Sequence, residues 1–228
     1  MKLLLFIFLL PLISYSETRE YTGEAKFKGK VVYLEQHSVE IQGNKAIRSE
    51  TIYKKSDGLI IGKLTNDYSK SVNVPEYLME DMVTKNKHGI RHQNKKILMF
   101  NHDDGKREET KEIAEDVSEG ELLVAGQGLH YYLVLKMDEV IQKGKLTLKF
   151  MIPGQLDVYE FKLKVFKVVD NKVEFEVMIN NWFLKLFAPK LKMIYELKSR
   201  RLLSYEGLSN LKGPDGKLMK VEIKYDYK

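Results

Sequence analysis

The feature that most constrains this chain is an alternation of apolar and charged side chains with a period of two. The stretch YEFKLKV alternates Tyr159, Phe161, Leu163 and Val165 with Glu160, Lys162 and Lys164. Successive side chains of a strand point to opposite faces of a sheet, so this pattern predicts one buried face and one face in water. The same alternation recurs from Val173 to Ile179 and from Val221 to Tyr227.

Turn signals separate these segments. They are QGNK (42–45), KSDG (55–58), HDDG (102–105), VDNK (169–172) and GPDG (213–216). Short strands joined by such turns are typical of antiparallel hairpins. The sequence therefore predicts an all-β, mainly antiparallel fold, a curved sheet or half-barrel with one or two helices packed on its concave side.

Two segments depart from this alternation. GLHYYLVLKMDEVIQKG places Leu129, Tyr132, Leu133, Met137, Val140 and Ile141 at steps of three and four residues. Since it ends in Lys143-Gly144, it predicts an amphipathic helix with a glycine stop. VPEYLMEDMVTK (74–85) carries a proline suited to a first helical turn and predicts a second, shorter helix.

The amino-terminal residues indicate export. Met1-Lys2 is followed by an apolar run from Leu3 to Ile13 and by small residues at Ser14 and Ser16, which is the pattern of a secretory signal peptide. We predict a signal peptide over 1–16, cleaved after Ser16, and a single LolA-like β half-barrel domain over 17–228. The apolar run is too short to span a bilayer, and the chain has no cysteine for lipid attachment or disulfides. The expected location is the periplasm or the exterior.

The sequence carries no signature of nucleophilic or phosphate chemistry. It lacks cysteine and a Gly-x-Ser-x-Gly elbow, and Ser209 in EGLSN lies in a strand-and-turn context. Gly126 and Gly128 in AGQGLH are better interpreted as easing entry into the helix than as a phosphate cradle. We therefore predict a non-catalytic protein without a cofactor, and keep a hydrolase only as a remote third class.

Metal binding and acid–base catalysis are also disfavoured by the pattern. His88, His92 and His102 are ligand types within one region, but Gly89 argues against a shared helical face and their spacing matches no strong ligand set. We predict no metal. The acidic run REETKEIAEDVSEGE (107–121) is typical of a solvated surface.

The net charge indicates the kind of partner. The formal charge is +6, and loss of Lys2 with the signal peptide leaves +5, spread over alternating strand positions. Nucleic-acid binding would require a clustered basic stripe and a compartment that contains nucleic acid. An anionic lipid or a transient contact with an anionic membrane surface is the more available partner.

The stretch NNWFLKLFAP (180–189) holds the only tryptophan and places five large apolar side chains in six consecutive positions. It predicts either a core strand covered by the helix, or the wall of a hydrophobic groove on the concave side. For the second case the candidate ligand-binding residues are Trp182, Phe183, Leu186, Phe187, Tyr131, Tyr132 and Met137.

The order of elements resembles a known superfamily. VAGQGLHYYLVLKMDEVIQKGK, then FMIPG, then a tryptophan strand running into PKLKMIYELKSRRLLSYEG, resembles uncharacterised periplasmic domain-of-unknown-function proteins that look like the LolA/LolB-type lipoprotein carriers. The resemblance implies a curved sheet that binds a lipid or other hydrophobic ligand. Only a soluble, LolA-like member fits, because the lipid-attachment cysteine is missing. The alternative is a structural or interaction module of the cell envelope with a filled core and no ligand.

Overall fold

The computed structural model describes residues 16–114, 122–179, 190–213 and 216–227. Most of these residues form β-strands. The strands are β1 (Ser16–Phe27), β2 (Lys30–Gln42), β3 (Lys45–Lys54), β4 (Ile60–Asp67), β5 (Glu76–Asp81), β6 (Asn86–Gln93), β7 (Lys96–His102), β8 (Glu109–Ala114), β9 (Leu122–Ala125), β10 (Lys145–Ile152), β11 (Asp157–Val169), β12 (Lys172–Ile179), β13 (Leu191–Glu196), β14 (Leu202–Lys212) and β15 (Leu218–Tyr227). One α-helix, α1 (Gly128–Lys143), and a 3-10 turn (Pro153–Gln155) complete the described elements. The predicted signal peptide lies outside them, except for Ser16.

The strands form one sheet in the order β8-β7-β6-β5-β4-β3-β2-β1-β15-β14-β13-β12-β11-β10-β9. Neighbours are antiparallel except β9 and β10, which are parallel and joined by α1. The sheet curls so that distant strands approach each other: the ammonium group of Lys111 on β8 lies 2.8 Å from the carboxylate of Asp157 on β11. The end strands β8 and β9 do not pair with each other, so the described sheet is an open, curved one, and the predicted fold class is confirmed.

Most predicted turns are found where the sequence places them. Asp170 and Asn171 both have positive φ, at 48° and 63°, as a two-residue hairpin between β11 and β12 requires. The turns at 42–45, 55–58 and 102–105 also connect consecutive strands. Pro214 and Asp215 of the last turn lie outside the described residues.

The predicted long helix is confirmed. Leu129, Leu133, Met137 and Val140 are its buried apolar residues and pack on the inner face of the sheet. Gly144 adopts a left-handed conformation at φ 71°, and its N–H bonds to the carbonyls of Val140 and Ile141.

The second predicted helix is wrong, because residues 76–81 form strand β5. Tyr77 and Met79 point inward while Leu78 lies on the opposite face. The strand pairs with β4 on one side and β6 on the other. Pairing on both edges outweighs the local helix signal of a proline followed by acidic residues.

The concave side holds two apolar clusters. The first is formed by strands from both sides of the β1–β15 pair and includes Tyr33, Met79 and Val221. The second lies between α1 and strands β10 to β13, where Phe175 and Leu163 have no exposed surface. The core is therefore formed mainly by the apolar side chains that point inward from alternate strand positions.

Candidate functional site

A group of polar side chains interrupts the apolar concave face between the two clusters. We call it the polar network: Glu35 and His37 on β2, Ser49 and Thr51 on β3, Asn66 on β4, Tyr68 just beyond it, and Gln127 immediately before α1. On β2 the two-residue period places Glu35 and His37 on the same face as Tyr33 and Val39, which are both buried. Polar residues at core positions require partners, because an unpaired buried polar group is costly.

The first half of the polar network is a chain of hydrogen bonds. His37 Nε2 lies 2.9 Å from Glu35 Oε2, and His37 Nδ1 lies 2.9 Å from Thr51 Oγ1. Gln127 Nε2 donates to the same hydroxyl at 3.3 Å. Thr51 has no exposed surface. This carboxylate–imidazole–hydroxyl order is the type used for nucleophilic catalysis, but a fully buried hydroxyl cannot reach an external substrate. Its evident role is to hold β2, β3 and the start of α1 together.

The second half of the polar network converges on one oxygen. Gln127 Oε1 accepts from Ser49 Oγ at 3.0 Å, from Tyr68 Oη at 3.1 Å and from Asn66 Nδ2 at 3.2 Å. The donors also bond one another: Ser49 Oγ lies 3.0 Å from Tyr68 Oη, and Asn66 Nδ2 donates to Ser49 Oγ at 3.0 Å. Asn66 Oδ1, in contrast, is buried without a hydrogen-bond partner among the described residues. The network therefore contains one unused acceptor.

Aromatic rings surround the polar network where it meets solvent. We call Tyr21, Tyr225, Tyr227, His130 and Tyr131 the aromatic cluster; all five are partly exposed. Tyr21 stacks on His37 with ring centroids 4.3 Å apart and on Tyr227 at 4.7 Å. From the helix, Tyr131 meets the ring of Tyr68 edge-on at 4.7 Å.

The electrostatics keep the aromatic cluster uncharged at neutral pH. Burial and, to a smaller extent, the nearby His37 together lower the pKa of His130 to about 4. Burial raises the pKa of Tyr21 well above its usual value, and raises that of Tyr227 to about 12. His130 Nδ1 also hydrogen-bonds the Tyr195 hydroxyl at 2.9 Å. The arrangement suits contact with an apolar body and hydrogen bonds to a polar group, rather than ion binding.

The predicted ligand-binding residues fall in different places. Tyr131 belongs to the aromatic cluster, while Tyr132 is partly buried against the second apolar cluster. Met137 is 1% exposed and packs inside that cluster. The remaining four predicted residues are Trp182, Phe183, Leu186 and Phe187, which lie outside the described residues. Tyr131 is thus the predicted residue that the structure brings to the polar network.

Most residues of the polar network and the aromatic cluster were not predicted from the sequence. A usable signal was present on β2, where Glu35 and His37 occupy alternate positions otherwise held by Tyr33, Val39 and Ile41. Two polar residues within an apolar period mark a buried polar pair. Asn66 and Gln127 gave no comparable signal, because their partners come from distant parts of the chain.

Two of the three histidines that were considered and rejected as metal ligands make ordinary hydrogen bonds. His88 Nδ1 lies 2.9 Å from Asn86 Oδ1, and His92 Nε2 lies 2.8 Å from the carbonyl oxygen of Val74. Burial lowers the pKa of His88 to about 4, so it is neutral at pH 7. Among the residues that the structure describes, no three His, Asp or Glu side chains are grouped to hold a metal ion.

A shallow depression of about 510 Å³ lies over β3 to β7. Its charged side chains are largely paired. Arg91 makes two bonds to Glu108, which lies outside the lining, at 2.8 and 3.0 Å, and its guanidinium lies 3.9 Å from the centre of the Phe100 ring. Arg48 lies 3.6 Å from Asp67. Because these charges are paired, the depression points to no particular ligand.

Comparisons with known proteins assign no family to this chain. No protein-family model matches the chain, and no curated protein matches it. Among solved structures, it is similar to a beta-barrel-like protein of the domain of unknown function DUF1849 from Brucella abortus, with 9% identity over 92% of this chain and 97% of that chain and a TM-score of 0.42. At this level the similarity says nothing about a ligand. In the described ranges no helix has the length and apolar character of a membrane span.

Proposed function

We propose that this protein is exported to the periplasm or beyond and binds a lipid or similar hydrophobic molecule without catalysing a reaction. The observation that carries the proposal is the partly exposed aromatic cluster around the polar network, on the concave face of an open sheet. The LolA-like resemblance of the sequence agrees with such a role.

The aromatic cluster offers a surface for an apolar chain. Tyrosine rings pack against hydrocarbon while their hydroxyls remain hydrated, which suits a site that is wet at one side. Tyr21, Tyr131 and Tyr227 come from β1, α1 and β15, so a ligand lying on them would contact the sheet and the helix together.

The polar network offers a place for the ligand's polar end. The unused acceptor Asn66 Oδ1 favours a ligand whose head carries a hydrogen-bond donor, such as a hydroxyl or an amide. Asn66 is 4% exposed, so the donor must displace or replace a neighbouring contact to reach it.

The alternative is an envelope module with a filled core. It is favoured by one specific observation, because Leu133, Met137 and Phe175 fill the space between helix and sheet with at most 1% exposure. In this case the aromatic cluster is simply the solvent-facing rim of a core.

A fluorescent fatty-acid probe and native mass spectrometry distinguish the two functions. We expect the wild type to take up the probe, and Tyr131→Ala to bind it about tenfold more weakly, since it removes a large apolar contact. Phe166→Ala is the matched control, because Phe166 is an exposed aromatic residue on β11 away from the cluster. If the wild type takes up no probe and no lipid co-purifies from the native host, the envelope module is the better assignment.

Export is tested separately by sequencing the amino terminus of the protein from its host. The mature chain should begin at Glu17, because cleavage is expected after Ser16. A chain that retains Met1 in the cytoplasm contradicts the proposed location.

A further inference from the structure

Large apolar side chains are exposed on two adjacent hairpin turns at one end of the sheet. Leu59 is 56% exposed on the β3–β4 connection and Ile60, the first residue of β4, is 44% exposed. Met82 is 49% and Val83 63% exposed on the β5–β6 connection. We call these four residues the apolar end patch. Scattered exposed apolar residues are ordinary, whereas four on neighbouring turns require an explanation.

The two turns of the patch are neighbours at this end of the sheet. The N–H of Met82 bonds to the carbonyl of Ile61 at 3.0 Å, which places the two turns side by side. Ile60 pairs in register with Lys54, which in turn pairs with Leu34, another exposed apolar residue at 38%. The apolar surface therefore extends over the ends of β2, β4 and β5.

The turns that carry the patch are locally ordered. Asp57 Oδ1 accepts from the N–H of Leu59 at 2.9 Å. Asp81 Oδ1 accepts from the N–H groups of Val83 and Thr84, both at 2.9 Å. These bonds hold the apolar side chains outward, so their exposure is a property of the fold and not of a loose loop.

Lysines surround the patch. Lys28 and Lys30 lie at the β1–β2 turn, Lys54 and Lys55 at the β3–β4 turn, and Lys85 at the β5–β6 turn. Among the described residues no acidic side chain pairs with Lys30 or Lys55. Lys85 pairs with Asp104 at 3.1 Å, and the acids of the β3–β4 and β5–β6 turns are Asp57 and Asp81. The five lysines outnumber these three acids, so this end of the sheet combines projecting apolar groups with excess positive charge.

We propose that the apolar end patch docks on the surface of a bilayer that contains anionic lipid. Projecting apolar side chains can insert at the boundary between headgroups and acyl chains, and the lysines match the lipid phosphates. Each lysine near an anionic surface strengthens binding by roughly fivefold. The patch lies at the opposite end of β4 from Tyr68, so this docking is a separate event from binding of a ligand at the aromatic cluster.

Co-sedimentation with extruded vesicles tests the proposal on the full mature chain. We expect wild type to bind vesicles of phosphatidylcholine with phosphatidylglycerol, and to bind pure phosphatidylcholine at least about tenfold more weakly, because the lysines lose their partner. The double variant Leu59→Ser/Val83→Ser should lose about tenfold in binding to the anionic vesicles. Lys54→Gln/Lys55→Gln should lose roughly 25-fold, at about fivefold for each lysine, and show a weaker dependence on salt.

The matched control is Val168→Ser/Val169→Ser. These two valines are 45% and 46% exposed on the β11–β12 hairpin, which lies elsewhere on the sheet. This variant should bind vesicles as the wild type does, and all variants should retain the wild-type circular dichroism spectrum and uptake of the fatty-acid probe. The proposal is overturned if wild type binds no anionic vesicles, or if the control loses as much binding as the patch variant.

Discussion

The hydroxyl of Thr51 joins the imidazole of His37 to the amide of Gln127 within the polar network. Replacing it in Thr51→Val keeps the branched shape and the strand propensity but removes one oxygen. His37 Nδ1, at 2.9 Å, and Gln127 Nε2, at 3.3 Å, would then lose their partner. A buried polar group without a partner costs about 1–3 kcal/mol, and the longer bond belongs at the lower end of that range. We expect a loss of about 2–4 kcal/mol in the free energy of unfolding.

Urea unfolding followed by circular dichroism measures this loss. Thr22→Val is the matched control, because Thr22 lies exposed on β1 and its replacement should change stability by less than about 0.5 kcal/mol. A loss below about 1 kcal/mol for Thr51→Val would refute the reasoning, since it would mean that His37 and Gln127 find other partners or water without cost.

Three further predictions concern backbone fit, packing and pH. Gly128→Ala should lower stability by at least about 2 kcal/mol in urea unfolding, because a Cβ there would lie 1.9 Å from the carbonyl oxygen of Asn73. The control Gly144→Ala meets open space and carries only the cost of its positive φ, about 1–2 kcal/mol. Equal losses in the two variants would contradict this reasoning. Phe175→Ala should cost about 3–5 kcal/mol, since its ring has no exposed surface, and a loss under 1 kcal/mol would show that the core is loose. The folded pKa of His130, about 4, lies below the unfolded value near 6.5, so this residue should lower stability by about 2 kcal/mol as pH drops from 7 to 4.5. His88, whose pKa is also about 4, should contribute a similar loss, and His130→Gln should remove about half of the combined fall.

The architecture was predictable because its signals are local. The alternation from Tyr159 to Val165 indicates a strand from a few neighbouring residues alone. The turn at Asp170 and Asn171, where both residues have positive φ, indicates a hairpin in the same local way. The helix was equally local, with its apolar stripe ending at Gly144. Residues 76–81 were assigned wrongly because the pairing that makes them a strand comes from β4 and β6, and no local pattern records it.

The candidate site was largely unpredictable because it depends on register between distant segments. His37 reaches Thr51 only because β2 and β3 pair with these two residues opposite each other. Gln127 then joins them from a position 76 residues further along the chain than Thr51. The densest aromatic stretch, at 180–189, drew the prediction instead, while the tyrosines of the aromatic cluster are individually unremarkable in the sequence.

The pairing of β1 with β15 determines how the chain must reach this fold. Most neighbouring strands follow one another along the chain, so their hairpins can close within microseconds. Tyr21 and Tyr227 face each other across the β1–β15 junction although they lie about 200 residues apart. Closing so long a loop carries a large entropic cost before any contact compensates it. We expect each half of the sheet to assemble early as a series of hairpins, and the joining of β1 to β15 to be the slow step that sets the overall folding rate.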